Sequence, residues 1–74
     1  MAKQLECRVV IVHRPDRAAF ALGMYDPVSG RYVPLGEHQR HDAERVIGGL
    51  RDRIEREGHL VSFSETTAPG HGAG

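Results

Sequence analysis

Apolar residues at both alternating positions near the N-terminus predict a strand with apolar side chains on both faces. Residues 4 to 13 are rich in β-branched side chains, which suit a pleated sheet. Because side chains alternate along a strand, one face carries Leu5, Cys7, Val9 and Ile11, and the other carries Glu6, Arg8, Val10 and Val12. A single helix covers only one face of a small sheet. The second face must therefore be partly exposed or be covered by another molecule.

Two further strands are predicted to follow and to complete a meander. Residues 18 to 25 alternate strictly, with Phe20, Leu22 and Met24 on one face, after a turn that contains Pro15. Residues 31 to 35 form the third strand. Because Pro34 cannot donate to a ladder, this strand belongs at an edge of the sheet.

The spacing of apolar residues changes to a helical period at Ala43. The apolar positions are Ala43, Val46, Ile47, Leu50 and Ile54, with Asp42 as the expected N-cap and Gly58 as the stop. Gly48 and Gly49 interrupt this helix, where each costs about 1 kcal/mol relative to alanine. They lie away from the apolar stripe, so they either admit a close partner or a bend, or are simply tolerated.

The direction of each element predicts the topology. If the first and third strands run up, the helix runs down and a short fourth strand at residues 59 to 64 can pair in parallel with the first strand. The sequence therefore predicts an α+β fold of the order β-β-β-α-β, with a four-stranded mixed sheet (order 3-2-1-4) and one helix packed on one face. Residues 1 to 64 form this single domain, and residues 65 to 74 are expected to be a disordered C-terminal tail.

The parity of the strands divides the apolar side chains between two surfaces. The helix is expected to cover Cys7, Val9, Ile11, Phe20, Leu22, Met24, Val33, Leu35, Val61 and Phe63. The opposite face presents an apolar, small-residue surface made of Val10, Val12, Ala19, Ala21, Gly23, Tyr25 and Tyr32. We expect a partner to bind there, either a second copy in a homodimer or another protein, with partial exposure of the face as the alternative.

The charge balance limits the other classes of partner. Ten basic and ten acidic residues give a net charge of zero, which removes the long-range attraction of a basic domain to nucleic acid. The alternative to a protein partner is a nucleic-acid-binding module with contacts from Arg8, Arg14, Arg17 and Arg31 around the meander. No segment has the length of a membrane span, and we expect a cytoplasmic protein without a membrane contact.

The sequence shows no machinery for catalysis. Cys7 is the only cysteine, and its parity predicts a buried small hydrophobe rather than a nucleophile. His38 and His41 have a spacing that metal ligands use if the helix begins early, but no further ligands lie at recognisable intervals. We therefore expect no catalytic residues, no metal site and no cofactor, and predict that the protein is not an enzyme.

The predicted order of elements resembles one known family. Three antiparallel strands, a helix and a parallel fourth strand resemble the partial ribonuclease-H-like domain of HicB-type antitoxins, over residues 4 to 64. Those domains often enter the helix through Gly-Asp-Thr followed by Glu-Ala, whereas this chain has Gly36-Glu37-His38-Gln39-Arg40-His41-Asp42-Ala43 and keeps only the glycine and the alanine. The resemblance is one of topology, and it implies a non-catalytic binding role.

Overall fold

Four strands form one mixed sheet with a single α-helix on one face. The computed structural model describes residues 4–68. Its elements are β1 (Glu6–Arg14), β2 (Ala19–Tyr25), β3 (Tyr32–Gln39), α1 (Ala43–Arg56) and β4 (Leu60–Thr67), with short 3-10 turns at Pro15–Arg17 and Arg40–Asp42. The strand order is β3-β2-β1-β4, with β1 antiparallel to β2 and parallel to β4. The α+β fold and the strand order predicted from the sequence are confirmed.

β3 is longer than the sequence pattern predicts. It continues to Gln39 instead of ending at residue 35, and its register with β2 shifts between Leu22 and Gly23. Leu35 is left without a partner on β2 at this bulge, and Gly36 beside it has a φ of +92° that non-glycine residues rarely adopt. The bulge breaks the two-residue period, so alternation alone hides the second half of the strand.

β4 also extends beyond its predicted end. Glu65, Thr66 and Thr67 pair in register with β1, although the sequence assigned them to the tail. Polar side chains are compatible with an edge strand because one of its sides faces water. The remainder of the predicted tail, from residue 69 onward, lies outside the described residues.

The buried core lies between the centre of the sheet and the apolar side of α1. The core cluster consists of Cys7, Val9, Ile11, Phe20, Leu22 and Ile54, with Met24, Leu35, Ala43, Val46, Ile47, Leu50 and Val61 packed against it. Ile54 is the only buried residue of α1. The helix therefore packs on the core along its apolar side from Ala43 onward, and Ile54 near its C-terminal end is its most deeply buried contact.

Two residues of the expected core are not covered by the helix. Val33 on β3 and Phe63 on β4 remain 37% and 38% exposed. Four strands spaced about 4.8 Å apart span about 14 Å between the outermost backbones, whereas a helix is only about 10 Å wide. The expectation that α1 covers the whole inner face is therefore wrong for these two residues, although Leu35 and Val61 on the same edge strands do pack against the core.

The C-terminal end of α1 has the glycine conformation that the sequence predicts, whereas the N-terminal end lacks the predicted capping hydrogen bond. Gly58 has a φ of +87°, as expected of the residue that ends a helix. Asp42 occupies the N-cap position, but its side chain makes no capping hydrogen bond. Its carboxylate lies instead 3.2 Å from the guanidinium of Arg45 on the first turn of the helix.

A turn held by Asp26 joins β2 to β3. The Asp26 carboxylate accepts hydrogen bonds from the backbone N–H groups of Val28, at 2.7 Å, and Ser29, at 3.0 Å. These bonds, that of Ser29 first, lower the pKa of Asp26 below its ordinary value. The charged carboxylate thus fixes the turn that brings β3 back beside β2.

The lowered pKa of Asp26 predicts a specific loss of stability in acid. A carboxyl whose folded pKa is depressed stabilises the fold above its unfolded pKa, and this contribution disappears as the pH falls through the folded value. Asp26→Asn keeps an acceptor oxygen but cannot titrate. We expect urea titrations at neutral pH and at a pH below the ordinary carboxyl pKa to show that acid lowers the free energy of unfolding more in the wild type than in Asp26→Asn. An equal decrease in the free energy of unfolding of the two proteins would show that the Asp26 carboxylate does not stabilise the fold.

Candidate interaction surface

The sheet face opposite α1, called the outer face, is built by the alternate residues that the helix does not contact. Residues directly opposite one another in a ladder project to the same side of the sheet. The cross-strand neighbours are Gly23 and Ser64 for Val10, and Ala21 and Thr66 for Val12. The two valines therefore lie in the middle of the outer face, between small or short side chains on both adjacent strands.

All seven residues predicted to bind a partner lie on β1, β2 and β3 of the outer face. They are Val10, Val12, Ala19, Ala21, Gly23, Tyr25 and Tyr32, and the register makes them a contiguous group. Val10, Val12 and Ala21 are partly buried, whereas Tyr25 and Tyr32 are 40% and 48% exposed. The structure thus brings the predicted residues together, without showing what covers them.

Gly23 has a role within the chain that the sequence did not indicate. A Cβ atom at this position would collide with the side chain of Tyr32 on the neighbouring strand. The Tyr32 ring also meets the Tyr25 ring edge to face, with the ring centroids 5.2 Å apart. Gly23 therefore accommodates Tyr32, and it is Tyr32 that presents an aromatic surface at this end of the outer face.

A carboxylate holds two of the candidate nucleic-acid-binding arginines at one end of the outer face. Glu37 lies 3.3 Å from the Nε atom of Arg14 and 3.2 Å from the Nη1 atom of Arg17. The three side chains are partly solvent-exposed, so each pair contributes at most about 1 kcal/mol to stability. The cluster still carries one formal positive charge, but Glu37 competes with a phosphate for both guanidinium groups.

The other two candidate arginines lie at the opposite end. Arg8 pairs across the ladder with Tyr25, which pairs in turn with Tyr32, and Arg31 directly precedes Tyr32 in the chain. Arg14 lies six positions after Arg8 on β1, which corresponds to roughly 20 Å along a strand. The four arginines therefore form two separate groups with an apolar region between them, and not one basic stripe.

Cys7 lies on the inner face, where its parity predicts it. The side chain is 1% exposed, and its Sγ atom lies 3.7 Å from the carbonyl oxygen of Tyr25. Burial raises the pKa of the Cys7 thiol, and the nearby carboxylates of Asp26 and Glu57 raise it further. A thiol in this environment stays protonated, which is the opposite of what a nucleophile needs.

A small cavity lies next to Cys7, and several of the side chains that line it are polar. Its volume is about 240 Å³, and its lining is Cys7, Met24, Asp26, Pro27, Val28, Ile54, Glu57 and His59. The thiol contacts Met24 and a backbone carbonyl, and the Asp26 carboxylate bonds to its own turn. The cavity is thus lined by polar groups, but the two hydrogen-bond partners of the Cys7 thiol, the Met24 sulfur and the Tyr25 carbonyl oxygen, cannot act as a general base.

His38 and His41 do not share a helical turn. Both residues precede α1, which begins at Ala43, so the early helix start on which the metal hypothesis depended is wrong. The His38 ring lies on β3, 5.6 Å from the Phe20 ring, whereas His41 lies 3.8 Å from the carboxylate of Asp42 in the preceding turn. Across residues 4–68, no group of three or more His, Cys, Asp or Glu side chains is arranged to hold a metal ion.

Several residues of the outer face escaped the sequence prediction. Ser64 and Thr66 complete the face on the β4 side, and Glu37 supplies its carboxylate. The spacing of Ser62, Ser64 and Thr66 was the available signal for a longer β4. Glu37 could not be placed because the bulge at Leu35 shifts the parity of β3 after that residue.

Gly48 and Gly49 have open space around them in the structure. A Cβ atom at either position would meet nothing within 4 Å. Neither residue is therefore required for a close approach between α1 and the rest of this chain.

Comparison of the chain with models of known protein families, with curated proteins and with solved structures finds no match. The resemblance to HicB-type antitoxins is accordingly carried by the order of elements alone. In the part of the chain that the structure describes, no helix is both long enough and apolar enough to cross a membrane.

Proposed function

We propose that this protein is a non-catalytic interaction module that self-associates through its outer face. The observation that carries the proposal is the apolar centre of that face, where Val10 and Val12 lie between the short side chains of two adjacent strands. Complete burial of two exposed valine side chains contributes roughly 3 to 6 kcal/mol on transfer scales, and Val10 and Val12, which are already partly buried, contribute only part of this before the entropy of association is subtracted. The helix cannot supply this burial because it packs on the other face.

A second copy suits the outer face better than a strongly charged partner. The chain has no net charge, and the outer face carries arginines at both ends together with the carboxylate of Glu37. Two such faces related by a twofold axis can bring opposite charges together around an apolar centre. Symmetric pairing of this kind is also the commonest form of self-association.

Nucleic-acid binding is the alternative function. It is favoured by the exposed Tyr25 and Tyr32 beside Arg8, since aromatic rings next to a cationic side chain can stack on bases. The engagement of Arg14 and Arg17 with Glu37 counts against it. Salt-dependent binding of a DNA or RNA oligonucleotide that is lost in Arg14→Ala and Arg31→Ala, with the fold intact, would replace the protein-interaction proposal.

Val10→Arg is expected to halve the mass of the wild-type assembly. The substitution places a charge in the apolar centre of the outer face, where a partner would desolvate it. Val28→Arg is the matched control, because Val28 is 81% exposed in the turn between β2 and β3. Light scattering coupled to size exclusion should show that Val28→Arg keeps the wild-type mass. The same mass in all three proteins would refute association through the outer face.

A further inference from the structure

The free edge of β4 lacks the proline, lysine and bulge that most often prevent another strand from adding to a sheet, and Glu65 is its single charged residue. The other edge strand, β3, contains Pro34, which has no backbone N–H, and the bulge at Leu35. β4 contains no proline, lysine or arginine, and its register with β1 runs from Leu60 to Thr67 without a shift. Among the described residues, β1 is the only strand paired with β4. Its other side therefore presents unpaired backbone groups.

The ladder with β1 determines which backbone groups these are. The N–H of Leu60 donates to the carbonyl of Leu5 at 2.9 Å, and the N–H of Ala68 donates to the carbonyl of His13 at 2.8 Å. Backbone groups alternate in direction along a strand, so the even-numbered residues of β4 face β1. The residues whose N–H and C=O groups point to the free edge are Val61, Phe63, Glu65 and Thr67.

We propose that the free edge of β4 pairs antiparallel with β4 of a second copy, with the twofold axis at Phe63. A twofold axis perpendicular to the sheet makes two copies of one edge strand antiparallel. In this register Phe63 lies opposite Phe63 of the second copy, and Val61 lies opposite Glu65. Each of these pairs joins odd-numbered residues, so their backbone groups face one another across the new ladder.

The side chains of β4 favour a second copy as the partner. Phe63 projects to the helix side of the sheet but is 38% exposed, and its own counterpart would cover it. Glu65 is the only charged residue of β4, and its carboxylate lies 2.8 Å from the Nε2 atom of His13 in the same chain. A register centred on Phe63 keeps the two Glu65 side chains from lying opposite each other, which avoids like-charge repulsion.

This edge is separate from the outer face, so the two surfaces can be used at the same time. Pairing through the outer face joins two sheets back to back, whereas pairing through β4 extends one sheet into the next. When the two twofold axes intersect at right angles, the two contacts together join four copies of the chain. Loss of either contact then leaves the other intact.

The test replaces Phe63 with lysine, which places two like charges opposite each other at the twofold axis. Val33→Lys is the matched control, because Val33 is 37% exposed on the same inner face but lies on β3. Light scattering should show half the wild-type mass for Phe63→Lys and the wild-type mass for Val33→Lys. The double variant Val10→Arg with Phe63→Lys should have the mass of one chain, 8.2 kDa. A wild-type mass for Phe63→Lys would overturn the proposal, whatever the result for Val10→Arg.

Amide hydrogen exchange gives a second test that does not depend on how the variant folds. In the wild type, the N–H groups of Phe63 and Glu65 should be protected together with those of Ser62 and Ser64, which face β1. In Phe63→Lys, the protection of Glu65 should be lost and that of Ser64 retained. Fast exchange at Phe63 and Glu65 in the wild type, with slow exchange at Ser62 and Ser64, would show a free edge and overturn the proposal.

Discussion

Phe20→Ala is expected to lower the free energy of unfolding by about 3 to 5 kcal/mol. The Phe20 side chain is fully buried at the centre of the core cluster, and the His38 ring packs at its side. Removing the ring leaves a cavity that the rigid strands on either side cannot fill. A chain of this length has a total stability of only about 4 to 11 kcal/mol. The variant should therefore lose a large fraction of its folded population.

Urea titration followed by circular dichroism measures this loss, and Phe63→Ala is its control. Phe63 is the same residue type on the same side of the sheet, but it lies on an edge strand and is 38% exposed. At a protein concentration low enough to prevent association, we expect Phe63→Ala to lose less than about 1 kcal/mol. Similar losses for the two variants would mean that the core does not lie where the structure places it.

Ile54→Ala is expected to weaken the packing of the helix on the sheet, with a loss of about 2 to 5 kcal/mol in the free energy of unfolding. Ile54 is the one residue of α1 that is buried, and it belongs to the same cluster as Val9 and Phe20. Isolated helices of this length are marginal in water, so most of the stability of α1 must come from its packing. Without the Ile54 side chain, the C-terminal half of the helix keeps only Leu50 against the core cluster.

The comparison with Ile47→Ala tests whether one position carries this packing. Ile47 is only partly buried against the core, so its truncation should cost clearly less than that of Ile54. Thermal unfolding followed at a helical wavelength, together with urea titration, measures both. A greater loss for Ile47→Ala would show that the helix is anchored through its middle instead of through its C-terminal end.

The fold follows from the sequence because several independent patterns point to the same topology. Val9 lies in a β-branched run and Phe20 in an alternating strand, Pro34 marks an edge, and the period changes at Ala43. Once the direction of each element is known, few arrangements remain for the fourth strand. Agreement between local pattern and chain direction is what makes this topology predictable.

The extent of β3 and β4 could not be predicted in the same way. The bulge at Leu35 interrupts the alternation, so the residues after it appear irregular in the sequence. An edge strand needs apolar side chains at few of its positions, so the end of β4 can be polar. In the sequence alone, such polar residues resemble a disordered tail. Only the pairing of Thr66 and Thr67 with β1 reveals that they belong to the sheet.

The candidate surface was predictable in its position but not in its details. Strand parity is enough to place Val10 and Val12 on the face opposite the helix. The contacts of Tyr32 with Gly23 and of Glu37 with the arginines depend on the register of β3, which includes the bulge. Sequence periodicity carries no information on such cross-strand contacts, because they are fixed only when the strands pair.

Isotope-filtered nuclear Overhauser spectroscopy on a mixture of labelled and unlabelled protein tests the use of the outer face most directly. This measurement detects only contacts between different copies of the chain. We predict contacts between copies from the methyl groups of Val10 and Val12 and from the ring of Tyr25. Contacts between copies that are confined to Phe63, with none from Val10 or Val12, would contradict association through the outer face.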